Sequence, residues 1–333
     1  MSSPTGPASG LPVRMPRPRQ PGRHRRPEPA AAPVGAPPLV LAVPGTPEAA
    51  TRGLAEEIVS IARSELPGLD AQVGYVDVEG ENAEFPQLES VLARAAQDRT
   101  ERLRQAREAA KATAAATAEA IAAAEAAGEE IPEMPPPPSV PTDGPSAVVV
   151  PLLAGPDNAL LRRIRQAVMS SGSAAELTDV LGPHPLLAEG LHVRLSEAGL
   201  ARADRARLFT VATAADGIIL ATVGGGEAAD AGGITGMLLS ARLAVPVMAA
   251  ALDEDGAVVR VAEQLRSAGS ARLALAPYLI GPEVSAELTK AAAEEAGCAA
   301  AEALGAYPAV GKLVLSKYAA ALGITLPASA GLR

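Results

Sequence analysis

"AVVVPLLAGPDN" (residues 147–158) and "RLALAPYLIGPE" (residues 272–283) are two copies of one design, an apolar run that reaches a proline and then turns at Gly-Pro toward an acid. A second pair follows each: "ELTDVLGPHPLLAEGLHVRL" (176–195) aligns with "AAAEALGAYPAVGKLVLSKY" (299–318), where LG-x-x-P leads into an amphipathic helix. "LVLAVPG" (39–45) and "IILATVGGG" (218–226) then stand at the openings of the two halves. Self-similarity on this scale marks repeated structural units. The chain is read as two homologous α/β domains, about 39–200 and 206–325, facing each other across a cleft. Ligand contacts are expected on loops at the carboxyl ends of the strands.

Strand signals fall at "PLVLAV" (38–43), "AQVGYVDV" (71–78), "SAVVVPLL" (146–153), "DGIILATV" (216–223), "LAVPVMAAAL" (243–252) and "ARLALAPYLI" (271–280). These short apolar runs lack polar alternation, as parallel strands covered on both faces do. Helical patterns separate them, among them "AATRGLAEEIVSIARSEL", "ALLRRIRQAVMSS", "GMLLSARL" and "AVVRVAEQLRSAG". The alternation predicts mostly parallel sheets flanked by helices. Residues 88–127 form a long Ala, Glu and Arg stretch of high helix propensity whose apolar stripe fades after Lys111. With the proline-rich linker that follows, it reads as an insertion at about 98–145. A lid over the cleft, a contact for a protein partner and a solvated spacer are its three readings.

The 333 residues are 48% hydrophobic and 20% charged, enough for large α/β cores. Only 2% are aromatic and none is Trp, which nearly excludes base stacking as a binding mode. Residues 1–38 read as a disordered Pro/Arg-rich tail, carrying Arg14, Arg17, Arg19, Arg23, Arg25 and Arg26 against Glu28. The whole chain has net charge −9, so the body beyond that tail stands at about −14 and should not attract nucleic acid. The tail itself has two readings, an RNA or anionic-lipid contact and a solvated extension. No apolar run of membrane-spanning length exists, and the single cysteine, Cys298, makes no internal disulfide. A cytoplasmic setting is the expectation.

Histidine, the usual base or metal ligand, occurs three times. His24 lies in the tail. His192 sits in the helix after LG-x-x-P, where the repeat has Val314 or Leu315, and reads as packed. His184 lies in "LGPHP" opposite Tyr307 of "LGAYP", and reads either as a turn residue or as a ligand or metal contact. No H-E-x-x-H or cysteine cluster points to zinc, and no Gly-x-Ser-x-Gly elbow points to a hydrolase. The glycines of "ATVGGGEAADAGG" (221–233) lack G-x-G-x-x-G order, so a Rossmann site is disfavoured. As residues between a strand and a helix start, they can still present amides to a carboxylate.

"LAVPGT", "YVDV", "VVVPLLAG", "LGPHPLLAE" and "LGAYPAVGKLVL", in that order, resemble the sirohydrochlorin chelatases of the CbiX/SirB type in their two-domain form, over about residues 39–325. The resemblance implies a class II chelatase, which inserts ferrous iron, cobalt or nickel into a sirohydrochlorin-like tetrapyrrole without an organic cofactor. In that family the first strand ends in a Gly-His-Gly-Ser-like turn whose histidine binds metal. Here the turn reads Val43-Pro44-Gly45-Thr46, and proline neither ligates nor takes a proton. A second family histidine follows the third strand, where this chain places Asn158, with Asp157 beside it. Amides are feeble ligands and an exposed aspartate is a poor base near neutral pH.

The resemblance therefore implies a chelatase-like protein of siroheme or cobalamin formation, degenerate in metal insertion and retaining tetrapyrrole binding. An active chelatase with a relocated ligand set and a non-catalytic scaffold are the alternatives. Gly45, Thr46, Gly224 and Gly225 are the expected tetrapyrrole contacts; Asp157, Asn158 and His184 are the candidate metal ligands, with His184 the one candidate catalytic group. Glu227, Asp230 and Glu283 are reserve candidates for the cleft.

Overall fold

The structure, a computed structural model, describes residues 31–33, 35–78, 80, 83–127, 144–201, 215–281 and 283–326. Most of the basic tail and of the proline linker lie outside the described residues. Each half forms a four-stranded parallel sheet. The first comprises β1 (Leu39–Val43), β2 (Ala71–Tyr75), β3 (Val148–Pro151) and β4 (Glu176–Leu177) in the order β2-β1-β3-β4. In the second, β5 (Gly217–Thr222), β6 (Val247–Ala251), β7 (Leu273–Pro277) and β8 (Ala299–Ala300) take the order β6-β5-β7-β8. The repeat read from the sequence is thus one topology drawn twice. Even the strand prolines match: Pro151 pairs with Ala42 of β1, and Pro277 with Ala221 of β5.

The strands are apolar throughout because both faces are covered. In β1, Leu39, Leu41 and Val43 face one core while Val40 and Ala42 face another, and all five are fully buried. α1 (Ala49–Glu65) buries Ala55, Ile58, Val59 and Ala62, the i, i+3, i+4, i+7 stripe of a surface helix. α3 (Asn158–Ser170) buries Leu160, Leu161 and Ile164 on the opposite face of the same sheet.

The last helix of each half crosses over. α4 (Pro185–Glu197) packs on β7 and on α5 (Gly225–Leu243), so that Leu187, Leu191 and Leu195 share a core with Leu220, Leu239 and Ala276 of the second half. α8 (Pro308–Ala321) returns to α1 and β3 of the first half, placing Val310, Leu313, Val314 and Tyr318 in that same core. The Tyr318 hydroxyl donates to the Pro37 carbonyl at 2.8 Å. Gly311 lets α8 lie on α1: a Cβ there would stand 2.6 Å from Ile61 Cγ2. Gly190 does the same for α4 against Leu304 at 2.8 Å. Arg194 of α4 donates from Nη2 and Nε to the Leu304 carbonyl at 2.8 and 3.2 Å, fastening the turn before α8.

Three elements differ from the sequence reading. α5 starts at Gly225, so most of the glycine-rich stretch expected ahead of a helix lies inside one. Gly232 is there for close approach, since its Cβ would stand 2.9 Å from Thr222 Cγ2 on β5. β4 and β8 are two-residue strands with no periodicity to read. α7 (Ala286–Glu295) is capped by Ser285, whose side chain accepts from the Leu288 amide, while α6 (Ala257–Ser267) is as expected.

α2 (Leu88–Ala127) spans 40 residues, about 60 Å at 1.5 Å per residue. Leu88, Val91, Leu92 and Ala95 anchor it on Val40, Ala42, Val149 and Ile164; beyond Asp98 its described side chains are exposed or half-buried. Leu88 sits against Gly74 near the carboxyl end of β2. A crossover helix runs antiparallel to the strands it joins, so the free part of α2 leaves the body at the end where strands begin. That direction is away from the loops at the strands' carboxyl ends.

Candidate functional site

The carboxyl ends of the two sheets carry the same device. Two residues past β1, the Gly45 amide donates to Asp77 Oδ2 at 2.7 Å, and Asp77 stands two residues past β2. Two residues past β5, the Gly224 amide donates to both oxygens of Asp253 at 3.2 and 3.1 Å, and the Gly225 amide to its Oδ1 at 3.1 Å; Asp253 stands two residues past β6. Positive φ at Gly45 (90°), Gly224 (109°) and Gly225 (70°) aims these amides, a conformation costly for other residues. Asp77 also pairs with Arg163 of α3. Of the residues expected to contact a ligand, Gly45, Gly224 and Gly225 thus have their amides met by the chain's own carboxylates. Asp77 and Asp253 were missed in the sequence reading. The signal for them is the common offset from the strand, in "YVDV" and "ALDE".

Beside these turns the two halves are in contact. Asp157 is 7% exposed and caps α3, with Oδ1 accepting from the amides of Ala159 and Leu160 at 2.8 and 2.9 Å. Asn158, exposed, donates from Nδ2 to Glu227 Oε2 on α5 at 2.6 Å, joining the halves. Glu283, the repeat partner of Asp157, accepts from the amides of Ile280 and Gly281 at 2.8 and 2.6 Å. Burial raises its carboxyl above the ordinary carboxylate range, against backbone hydrogen bonds that include one from Ala154 of the first half. Tyr278 fills the space between: a Cβ on Gly155 would stand 3.1 Å from its ring, and burial pushes its phenol up to about 12. Asp230 lies exposed on α5.

An open cleft of about 710 Å³ lies to one side of this contact. Gly45, Thr46 and the start of α1 line it from the first half, and Ile280, Gly281, Glu283, Val284 and Glu287 from the second. Glu48 and Glu302 add carboxylates, while Arg194 supplies a cation. α1 has no side-chain cap and no acid in its first turn, so its leading amides add positive potential to this wall. The volume is that of a small-molecule site.

Neither described histidine stands in this cleft. His184 caps α4, its Nδ1 accepting from the Leu186 amide at 3.1 Å; burial first, then the nearby Lys317 charge, lowers its pKa below the ordinary histidine value. His192 is 4% exposed and accepts from Arg242 Nε through Nδ1 at 2.9 Å, as a packed residue does. Pro44 is buried at the tip of β1. Of the candidate residues, the structure brings Gly45 and Thr46 together with Glu283 in the cleft, and Asn158 together with Glu227. It sets His184 at the start of α4, beside a charge on α8. Among the described residues no group of three or more His, Cys, Asp and Glu side chains is placed to hold a metal ion. Among them, too, no helix is long and apolar enough to cross a membrane.

No family model and no curated protein matches the chain. Among solved structures, the chain is similar to the following three. SirB from Bacillus subtilis, solved with Fe3+, aligns over 86% of this chain and 95% of its own, with TM-score 0.51 and 13% identity. CbiX, described as the terminal enzyme for siroheme biosynthesis in denitrifying bacteria, aligns over 85% of this chain and 98% of its own, with TM-score 0.45 and 13% identity. A multi-domain protein from Deinococcus radiodurans, described as similar to chelatases with two additional novel domains, aligns over 85% of this chain at TM-score 0.48 and 16% identity. This chain spans only 55% of that protein's length. The likeness to SirB shows a class II chelatase fold, two chelatase-like sheets in one chain.

Proposed function

We propose that this chain is a degenerate relative of the sirohydrochlorin chelatases, which binds a tetrapyrrole in the cleft between its halves and does not insert metal. The observation that carries this reading is Pro44, buried at the tip of β1 in the place the resemblance gives to a histidine. Metal insertion needs ligands that exchange with a hydrated ion and a base that takes two pyrrole protons near neutral pH. The residues beside Pro44 supply neither. The Asp157 Oδ1 is occupied by two amides, and the Asn158 side chain is tied to Glu227.

The cleft retains features that suit a flat ligand with acidic substituents. Leu54, Ile280, Val284 and Ala286 offer apolar surface to a ring face, and Arg194 with the α1 amides offers positive potential to a carboxylate. Glu48, Glu283, Glu287 and Glu302 oppose dense negative charge, which favours a macrocycle seated with few of its carboxylates inward. Siroheme or cobalamin formation is the setting this reading implies. A second reading, a protein-interaction scaffold, rests on the long exposed part of α2.

The test is anaerobic absorbance of sirohydrochlorin with ferrous iron or cobalt at several protein concentrations. Tetrapyrrole binding without chemistry shifts the spectrum and leaves the insertion rate at its spontaneous value. A rate that rises in proportion to protein overturns the degenerate reading in favour of an active chelatase with relocated ligands. Neither shift nor acceleration overturns both and leaves the scaffold.

A further inference from the structure

The two halves fill equivalent places differently. In the first, Leu177 pairs with Val149 of β3 and Val180 follows it; in the second, Ala300 pairs with Leu275 of β7 and Ala303 stands where the repeat has Val180. Counted from the helix caps, Asp157 and Ser285, Leu161 of α3 becomes Thr289 of α7. Leu161 and Val180 are core residues of the first half, with Leu177 packed against them. All three replacements are smaller. Where they stand, between α7 and the carboxyl ends of β7 and β8, is a cavity of about 520 Å³ lined by Thr289, Ala300 and Ala303. A helix on a sheet ordinarily closes such a gap with large side chains, as α3 does with Leu160, Leu161 and Ile164.

The cavity adjoins the cleft. Gly281, Val284, Ser285, Ala286, Glu302 and Ala303 line both. Pro277, Leu279, Ala293 and Ala301 complete an apolar floor. The described lining holds one cation, Lys290, which is exposed and pairs with Glu294 at 3.8 Å; with Glu302 the lining is net negative. A carboxylate entering here meets repulsion, whereas an alkyl group leaves water for apolar contact, a gain of about fourfold in affinity per CH₂. Arg194 lines the cleft and not the cavity. The two spaces thus differ in the substituents they accept.

Resting on the reading that a tetrapyrrole occupies the cleft, we propose that the cavity beneath α7 is a subsite for an alkyl arm on the rim of the macrocycle. The chain then selects rings that carry methyl-sized substituents over rings whose arms all end in carboxylates. Orientation follows from the same contrast. The alkyl-bearing edge turns toward Ala300 and Ala303, and a carboxylate-bearing edge toward Arg194 and the start of α1. The specificity-determining residues are the small ones, Thr289, Ala300 and Ala303, because they leave the room that their counterparts fill in the first half.

The test compares uroporphyrin, whose peripheral arms all end in carboxylates, with coproporphyrin, in which half of the arms are methyl groups. Absorbance titration of the full chain should show coproporphyrin binding about tenfold tighter or more, the effect of a pair of methyl groups at about fourfold each. Ala300→Leu combined with Ala303→Val returns the side chains of the first half; it should weaken coproporphyrin, leave uroporphyrin unchanged and so remove most of the preference. Cys298, half-buried in the cavity lining, reports occupancy in the wild type. Burial raises its thiol pKa, so alkylation by iodoacetamide is followed at mildly alkaline pH. Saturating coproporphyrin should slow that alkylation several-fold, and uroporphyrin at equal occupancy should not. A wild type that binds neither porphyrin overturns the tetrapyrrole reading itself, and the subsite with it. Binding without preference, or a preference that the filled cavity retains, overturns the subsite alone. Unchanged alkylation of Cys298 under saturating coproporphyrin does the same, whether or not the double variant folds.

Discussion

His184 accepts the Leu186 amide through Nδ1, so a neutral ring with its proton on Nε2 is the form that caps α4, and burial with the Lys317 charge favours that form. A histidine whose folded pKa lies below its unfolded value, near 6.5, binds more protons when unfolded. Its contribution to stability is therefore full above the unfolded pKa and is lost as pH falls through the folded one. Thermal unfolding followed from about pH 7.5 to about pH 5 should show wild type losing more stability than His184→Asn, which keeps the cap without titrating. Glu283 is common to both proteins, so its opposite effect cancels in the difference. Equal slopes for the two proteins would assign the pH dependence elsewhere. Part of this site was legible in sequence at the scale of single residues. Pro44 announces by its chemistry that it is no ligand, whereas the match of His184 to Tyr307 left a turn role and a ligand role open, and the capping of α4 by its Nδ1 appears only in the structure. The closure of Gly45 by Asp77 was not legible, because it depends on which strand lies beside which.

At the scale of elements, α2 divides into an anchored start and a free remainder. Leu92, fully buried against the outer face of the first sheet, should cost about 2–4 kcal/mol when truncated to Ala, as core leucines do. Ala115→Ser on the exposed stretch should shift stability by less than about 0.5 kcal/mol. Urea unfolding of both variants measures the contrast, and comparable losses would mean that the distal helix is packed as firmly as its start. The bounds of α2 were readable from propensity alone, since a run so rich in Ala, Glu and Arg has no competing structure. α5 was harder. Glycines at 225, 226, 232, 233 and 236 lower helix propensity, and the reason for Gly232, a strand methyl where its Cβ would stand, appears only once α5 lies on β5. The two-residue β4 and β8 are held by pairing with β3 and β7 and carry no pattern of their own.

For the molecule as a whole, the repeat predicted two units, and the packing adds that each borrows its last helix from the other. Expressed alone, residues 31–201 should lack the cover that Val310, Leu313, Val314 and Tyr318 give to the first sheet, and residues 215–333 the cover from Leu187, Leu191 and Leu195. At about 1.5–3 kcal/mol per large apolar side chain, the deficit approaches the whole stability of a domain. Each fragment should be poorly ordered by circular dichroism and near-ultraviolet signal, and mixing the two should restore cooperative unfolding. Two fragments that unfold cooperatively in isolation would show the crossover to be dispensable. The crossover also governs how anything enters the cleft. Halves joined by a linker alone can swing apart like the covers of a book, but here each cover is sewn into the opposite spine by α4 and α8. The aperture must therefore change by rearrangement of its rim, at Gly45 and at Ile280, Gly281 and Ser285, while the distance between the sheets stays constant.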